Sequence, residues 1–202
     1  MNAAMRAVVV HLREEDLAER RSKGLDRWDE MWEGVLHMTP APSLEHQRIL
    51  DRIIEFLGPR VRETTRGTLF SGINVFRETA GTPDYRIPDL TFVAAGREHV
   101  LREDGVGREG PDAVIEIRSP EDETYDKLPF YAALGVREVI VCHRDTKHTE
   151  VFRLAGSQYL VVQRDPAGWV ASDVLGVRFR VVEAVPARLR IDDLVDSSFV
   201  EI

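Results

Sequence analysis

The sequence predicts an α/β sandwich around a mixed sheet, and three observations carry that expectation. Apolar residues recur at helical spacing between Leu44 and Leu57, they alternate with period two from Thr68 onward, and a short helical stretch at residues 126–134 interrupts the alternation. The order is therefore helix, strands, helix, strand and a strand-rich tail. At 202 residues the chain amounts to one domain, or one domain with an N-terminal extension. The composition, 43% hydrophobic and 31% charged with 14 Gly and 10 Pro, excludes disorder, collagen and coiled coil.

Residues 12–23 are polar with sparse apolar positions and read as an exposed helix ending at Gly24. Glu33-Gly34 sits among Trp28, Met31, Trp32, Val35, Leu36 and Met38, which predicts a short hairpin of two brief strands. Pro40-Ala41-Pro42 breaks the chain, and Ser43 can cap the next helix by accepting a free backbone N–H. That helix, Leu44 to Leu57, carries Ile49, Leu50, Ile53, Ile54, Phe56 and Leu57 and is expected to stop at Gly58-Pro59. Strands follow at residues 68–76, 87–93, 113–117, 138–142, 149–154 and 159–163. The helix at residues 126–134 closes at Gly135, and Pro129 is tolerable near its start, where backbone N–H groups have no intrahelical partner.

Cys142, the only cysteine, lies in the apolar run Val139-Ile140-Val141, so a buried thiol is expected and no disulfide can form. No apolar stretch approaches the ~20 residues of a membrane span, and a cytoplasmic protein is expected. With 27 basic against 35 acidic residues the net charge is −8, which argues against a generic nucleic-acid coat protein but not against an enzyme meeting DNA through a local basic face. Lys23, Lys127 and Lys147 are the only lysines among many arginines. No glycine loop of phosphate-cradling type is present, so no nucleotide cofactor is implied.

Two Pro-Asp pairs, Pro88-Asp89 and Pro111-Asp112, stand near an acidic strand. Alternation sorts that strand into Ala113, Ile115 and Ile117 on one face and Asp112, Val114, Glu116 and Arg118 on the other. Asp112 and Glu116 cannot share a metal, because four strand residues span about 13 Å whereas metal-bound oxygens lie about 3 Å apart. Asp89 can meet Glu116 if its strand pairs with this one at the usual spacing of about 4.8 Å. Two converging carboxylates form a hard oxygen site suited to Mg²⁺ or Mn²⁺. A cation near the attacking water is then needed, and Lys127 is the better candidate than Arg118, since a guanidinium can orient or neutralise but does not lose its proton.

The order Pro88-Asp89, Glu116-Ile117-Arg118 and Lys127 resembles the PD-(D/E)XK nuclease superfamily, in particular its small bacterial restriction endonuclease family. The phrases that carry the resemblance are Arg27 to Met38 followed by Thr39-Pro40-Ala41-Pro42-Ser43-Leu44-Glu45-His46-Gln47, then Ile87-Pro88-Asp89-Leu90, then Pro111 to Pro120, then Lys127-Leu128-Pro129 running through Tyr131 to Glu138. It covers about residues 27–155. The resemblance implies a restriction-endonuclease-like α/β domain over residues 27–202, with residues 1–26 as a helical extension. It implies Asp89 and Glu116 as metal ligands and Lys127 as the superfamily lysine moved onto the following helix. Arg118 then occupies the strand position of that lysine, a departure from the pattern. Glu45 and His46 fall where related nucleases place an acidic or polar site residue, although His46 also lies in register with the buried stripe and reads equally as a core histidine.

The expected activity is metal-dependent hydrolysis of DNA phosphodiesters by activated water, with Lys127 and Arg118 stabilising the transition-state charge. Duplex DNA is the expected partner, and cutting both strands favours a two-fold homodimer. The alternatives are a catalytically silent module of the same fold that binds DNA or a protein, and a metal-dependent hydrolase of RNA or nucleotides. Arg48, Arg52, Arg60, Arg62 and Arg66 are candidates for the DNA face, against a solvated helix surface balanced by Glu45, Asp51 and Glu55. Lys127, beginning a helix, is expected exposed and of small weight for stability. Tyr131 reads as packing over Lys127, His143 and His148 as a weak zinc pair without a third ligand, and Glu121-Asp122-Glu123 as loop decoration.

Overall fold

The computed structural model describes residues 7–10, 13–64, 66–78 and 83–202. Among the described residues three α-helices are present: α1 (Glu14–Ser22), α2 (Leu44–Glu63) and α3 (Leu128–Ala133). The expected start of the first helix at Leu12 lies outside the described residues. At the centre stands a six-stranded sheet in the order Gln158–Val161, Thr149–Ala155, Glu138–His143, Ala113–Arg118, Leu90–Ala94, Gly67–Ser71. Within this sheet only the Ala113–Arg118 and Glu138–His143 strands pair in parallel, and α3 lies in the crossover that a parallel pair requires. The sheet is mixed, as the sequence predicts.

The two faces of this sheet have different covers. Ala113, Ile115, Ile117 and Ile140 pack against Ile49, Ile53 and Leu57 of α2 and against Val177, Phe179, Leu189 and Ile191 of a four-stranded C-terminal sheet. Each such fully buried aliphatic side chain contributes about 1.5–3 kcal/mol. Val114, Val139 and Val141 point the other way, onto Phe130 and Tyr131 of α3 and onto Val75 and Val106 of a seven-stranded sheet. The central sheet is flanked by α2 and α3, each joined in its layer by a further sheet. Short strands such as Tyr85–Arg86 and Gly105–Val106 carry too few residues to show an alternation.

Helix α2 does not stop at Gly58-Pro59. It runs to Glu63 because the apolar stripe continues through buried Val61, and the packing outweighs the loss of one intrahelical bond at Pro59. Ser43 caps its start by accepting the His46 N–H at 3.2 Å. The stretch 68–76 is two strands rather than one: Gly72, at φ +59°, turns the chain so that Gly67–Ser71 joins the central sheet and Asn74–Phe76 the seven-stranded one. The hairpin at Glu33-Gly34 forms as expected, with both turn residues at positive φ (50° and 87°), between Asp29–Trp32 and Val35–Met38.

A buried carboxylate ties the C-terminal sheet to the centre. Glu138 accepts hydrogen bonds from Ser172 Oγ at 2.5 Å, Arg153 Nε at 2.9 Å, the Val174 N–H at 3.2 Å and the Asp173 N–H at 3.3 Å. Cys142 is buried under the same layer, and burial pushes its thiol up to about 11. It is therefore expected to resist a thiol-modifying reagent such as a disulfide chromophore at pH 8 and to react stoichiometrically once the protein is unfolded in guanidinium. Rapid reaction of the native protein would contradict this packing.

Candidate active site

Asp89 stands at a bend just ahead of the Leu90–Ala94 strand, after Pro88, a place where the missing proline N–H breaks no ladder. That strand pairs antiparallel with Ala113–Arg118 in the register Phe92 to Ala113 and Leu90 to Ile115, which carries Asp89 to the level of Glu116. Asp89 Oδ2 accepts the Ile117 N–H at 2.6 Å, and its Oδ1 lies 2.8 Å from His46 Nε2. The first residues of α2 thus reach the sheet through one carboxylate.

Glu116 is 4% exposed and faces α3, on the side opposite Ala113, Ile115 and Ile117. Its Oε1 accepts the Tyr131 hydroxyl at 2.6 Å, and Lys127 Nζ approaches at 3.3 Å. Lys127 ends a 3₁₀ turn, Thr124–Lys127, immediately before α3, and its ammonium is 2.8 Å from Glu30 Oε1. Contrary to the expectation of an exposed helix-start lysine, its side chain is only 13% exposed, because Glu30 and Glu116 draw the ammonium inward. Tyr131 does not merely pack over the lysine; it holds the carboxylate that the lysine meets.

Glu30 is the residue that sequence reasoning missed. It comes from the Asp29–Trp32 strand of the seven-stranded sheet, is 3% exposed, and also accepts the Ile87 N–H and the Trp32 indole N–H, each at 2.8 Å. Behind it Arg86 donates to Met31 O at 2.9 Å and to Asp84 Oδ1 at 2.8 Å, with its guanidinium 4.2 Å from the Trp32 and Phe130 rings. These contacts fix the wall against which Lys127 rests.

The charges around this point do not balance. Asp89, Glu116 and Glu30 bring three carboxyl groups to one Lys127 ammonium, with His46 against Asp89. Burial, reinforced by Asp89 and Glu30 and opposed by Lys127, pushes the Glu116 carboxyl up to about 8. Burial works against the Lys127 ammonium as well, but Glu116 and Glu30 outweigh it and hold its pKa above the usual lysine value. Tyr131, buried beside Glu116, is held well above its ordinary value and stays a hydrogen-bond donor. An excess of buried hard oxygen donors is the environment that a divalent cation relieves.

The remaining residues singled out by sequence are placed elsewhere. Glu45 turns from Asp89 to Lys147 Nζ at 2.7 Å and Arg48 at 3.0 Å, and the bond from Lys147 holds its carboxyl below the usual value. Arg118 lies over the Tyr125 ring at 5.0 Å with Nε 3.8 Å from Asp122. Asp112 accepts the Ala94 N–H at 2.8 Å and pairs with Arg97 at 3.0 Å, at the far end of the strand from Glu116. His143 meets Tyr125 Oη at 2.9 Å and Glu150 at 3.3 Å, and His148 contacts Arg164. In the acidic loop Asp122 caps Ser119 and Thr124, and Glu123 pairs with His37 at 3.0 Å. Among the described residues no group of three or more His, Cys, Asp or Glu side chains is arranged to hold a metal ion.

The fold matches that of a solved structure described as a "putative nuclease belonging to DUF820 from Anabaena variabilis ATCC 29413", with a TM-score of 0.59 at 17% identity over 73% of this chain and 82% of that one. The molecule therefore shares the fold of that structure. A family model, Uma2, described as "Putative restriction endonuclease", matches residues 16–183, and the chain belongs to that family, which is part of the PD-(D/E)XK superfamily. No curated protein matches the chain. No helix among the described residues is long and apolar enough to cross a membrane.

Proposed function

We propose that this protein is a divalent-metal-dependent endonuclease that hydrolyses DNA phosphodiester bonds, with Asp89 and Glu116 holding Mg²⁺ or Mn²⁺. The observation that supports this most is the uncompensated cluster of Asp89, Glu116 and Glu30 around a single lysine, on adjacent strands whose register sets Asp89 beside Glu116. Its donors are hard oxygens and its charge is negative, which fits such a cation. The cation, when bound, supplies polarisation of the phosphodiester and a lower pKa for water. Tyr131 orients Glu116, and the Ile117 N–H and His46 orient Asp89. Lys127 carries a fixed positive charge at the carboxylate pair, positioned by Glu30 to stabilise negative charge developing on the phosphate. Glu45, bound by Lys147, steadies the start of α2 so that His46 reaches Asp89. Cleavage of both strands of a duplex by a cytoplasmic homodimer completes this reading.

The test is calorimetry with Mn²⁺ together with nicking of supercoiled plasmid. Wild type is expected to bind the ion and to cut only with Mg²⁺ or Mn²⁺. Glu116→Gln and Asp89→Asn are expected to lose both activities while remaining folded. Undiminished Mn²⁺ affinity in both variants, or cutting that persists in a chelator, rules the proposal out.

A further inference from the structure

Arg48, Arg52 and Arg60 of α2, and Arg66 just beyond it, are engaged within the protein, while Arg62 is exposed. Arg48 and Arg52 pair with Glu45 and Glu55, Arg60 donates to Phe56 O and reaches Asp193, and Arg66 bonds Val174 O. A second arginine array, half-buried at Arg178, Arg180 and Arg190 and exposed at Arg188, lies on the C-terminal sheet. In the C-terminal sheet the strands Val177–Val182 and Arg188–Asp193 pair antiparallel, with Arg178 opposite Asp192, Arg180 opposite Arg190 and Val182 opposite Arg188. Because Val177, Phe179, Leu189 and Ile191 fill the core, these arginines share the outer face.

Four guanidinium groups there meet two carboxylates. Asp192 pairs with Arg178 at 3.1 Å and Arg190 at 2.7 Å, and Glu201 pairs with Arg188 at 3.3 Å and Arg190 at 3.7 Å. Four positive charges against two negative leave an excess of two on this face, in a chain of net charge −8. Arg180 has no carboxylate partner among the described residues. Its guanidinium lies over Trp169 at 4.5 Å, beside that of Arg178 at 4.2 Å, and Arg190 covers the half-exposed Phe199 at 3.9 Å. Stacking on a ring holds a guanidinium flat while leaving N–H edges available for phosphate oxygens.

We infer that this outer face of the C-terminal sheet is a nucleic-acid docking surface, which binds the phosphate backbone of duplex DNA through Arg178, Arg180, Arg188 and Arg190. The inference rests on the reading of the protein as a DNA nuclease, and it assigns the contact to a different element from the catalytic cluster. Successive arginines on one strand face repeat about every 6.8 Å, a periodic array suited to a regularly charged polymer rather than to a single anion. Helix α2 links the two regions: His46 touches Asp89, and Arg60, fourteen residues on, touches Asp193 of the sheet. At 1.5 Å per residue that is about 21 Å, or about six base pairs of duplex.

The experiment measures anisotropy of a fluorescein-labelled random duplex with the full chain in chelator, across a salt series, alongside plasmid nicking with Mn²⁺. The Arg180→Glu/Arg188→Glu protein is expected to bind about tenfold or more weakly at low salt, with the slope of log K against log salt smaller by about two units. Glu201→Gln, which frees Arg188 and Arg190, is expected to bind about threefold more tightly, a gain that misfolding cannot mimic. If both variants match wild type while the plasmid is still cut, the docking surface is overturned and the nuclease reading stands. If binding follows the arginines and nothing is cut, the surface stands and the nuclease reading fails. Absence of duplex binding by wild type at low salt, or equal dependence on these arginines for poly-glutamate alone, overturns the surface in favour of no partner or an acidic protein.

Discussion

Lys127→Ala is expected to lower DNA cleavage by about 10²–10³-fold and to destabilise the protein at the same time. The rate effect follows from removing a positioned charge where negative charge develops, the kind of loss measured when a transition-state donor is deleted. The stability effect comes from Glu30, whose buried carboxylate keeps only its two N–H donors once the ammonium at 2.8 Å is gone. Removing one partner of a buried pair costs about 3–5 kcal/mol. At the lower end of that range the melting temperature of a domain this size falls by about 6–12 °C. Cleavage and thermal unfolding of one preparation check both parts. Normal cutting by Lys127→Ala together with loss in Arg118→Ala would transfer the role to the strand arginine.

Glu138→Ala is expected to be the most damaging change remote from the cluster. It strands the Ser172 hydroxyl, two backbone N–H groups and one arm of Arg153, all turned toward a carboxylate that is 1% exposed. Each unsatisfied buried donor costs about 1–3 kcal/mol, so a loss of about 4 kcal/mol is expected even after partial relaxation. Because these donors belong to the segment entering the C-terminal sheet, hydrogen exchange should rise there before it rises in α2. A urea midpoint within error of wild type would show that the four contacts carry no net weight.

The parts of this fold legible in sequence are those with enough residues to show a period. Alternation over Ala113–Arg118 puts Glu116 on the face opposite Ala113, Ile115 and Ile117, spacing along the strand separates Asp112 from it, and the approach of Asp89 follows from pairing two neighbouring strands. The long apolar stripe of α2 is equally plain, yet its end is misread, since a Gly-Pro pair marks a stop only where no core continues beyond it; here Val61 extends the core. Lys127 is conspicuous as one of three lysines, but its burial depends on partners that local sequence does not reveal. Glu30 carries no local sign at all. It sits in a four-residue strand beside a hairpin, and what makes it part of the cluster is a sheet assembled from seven short segments. Likewise the outward arginines of the last sheet become a patch only when two strands come into register.

The contact between Glu30 and Lys127 closes a separation of 97 residues, with His46, Asp89 and Glu116 falling between them along the chain. During synthesis Glu30 and His46 leave the ribosome first, and neither meets Lys127 or Asp89 until the later strands and the turn before α3 emerge. A truncated or half-made chain thus holds scattered acids and no assembled centre. Whatever chemistry this cluster performs arrives only with the finished tertiary structure.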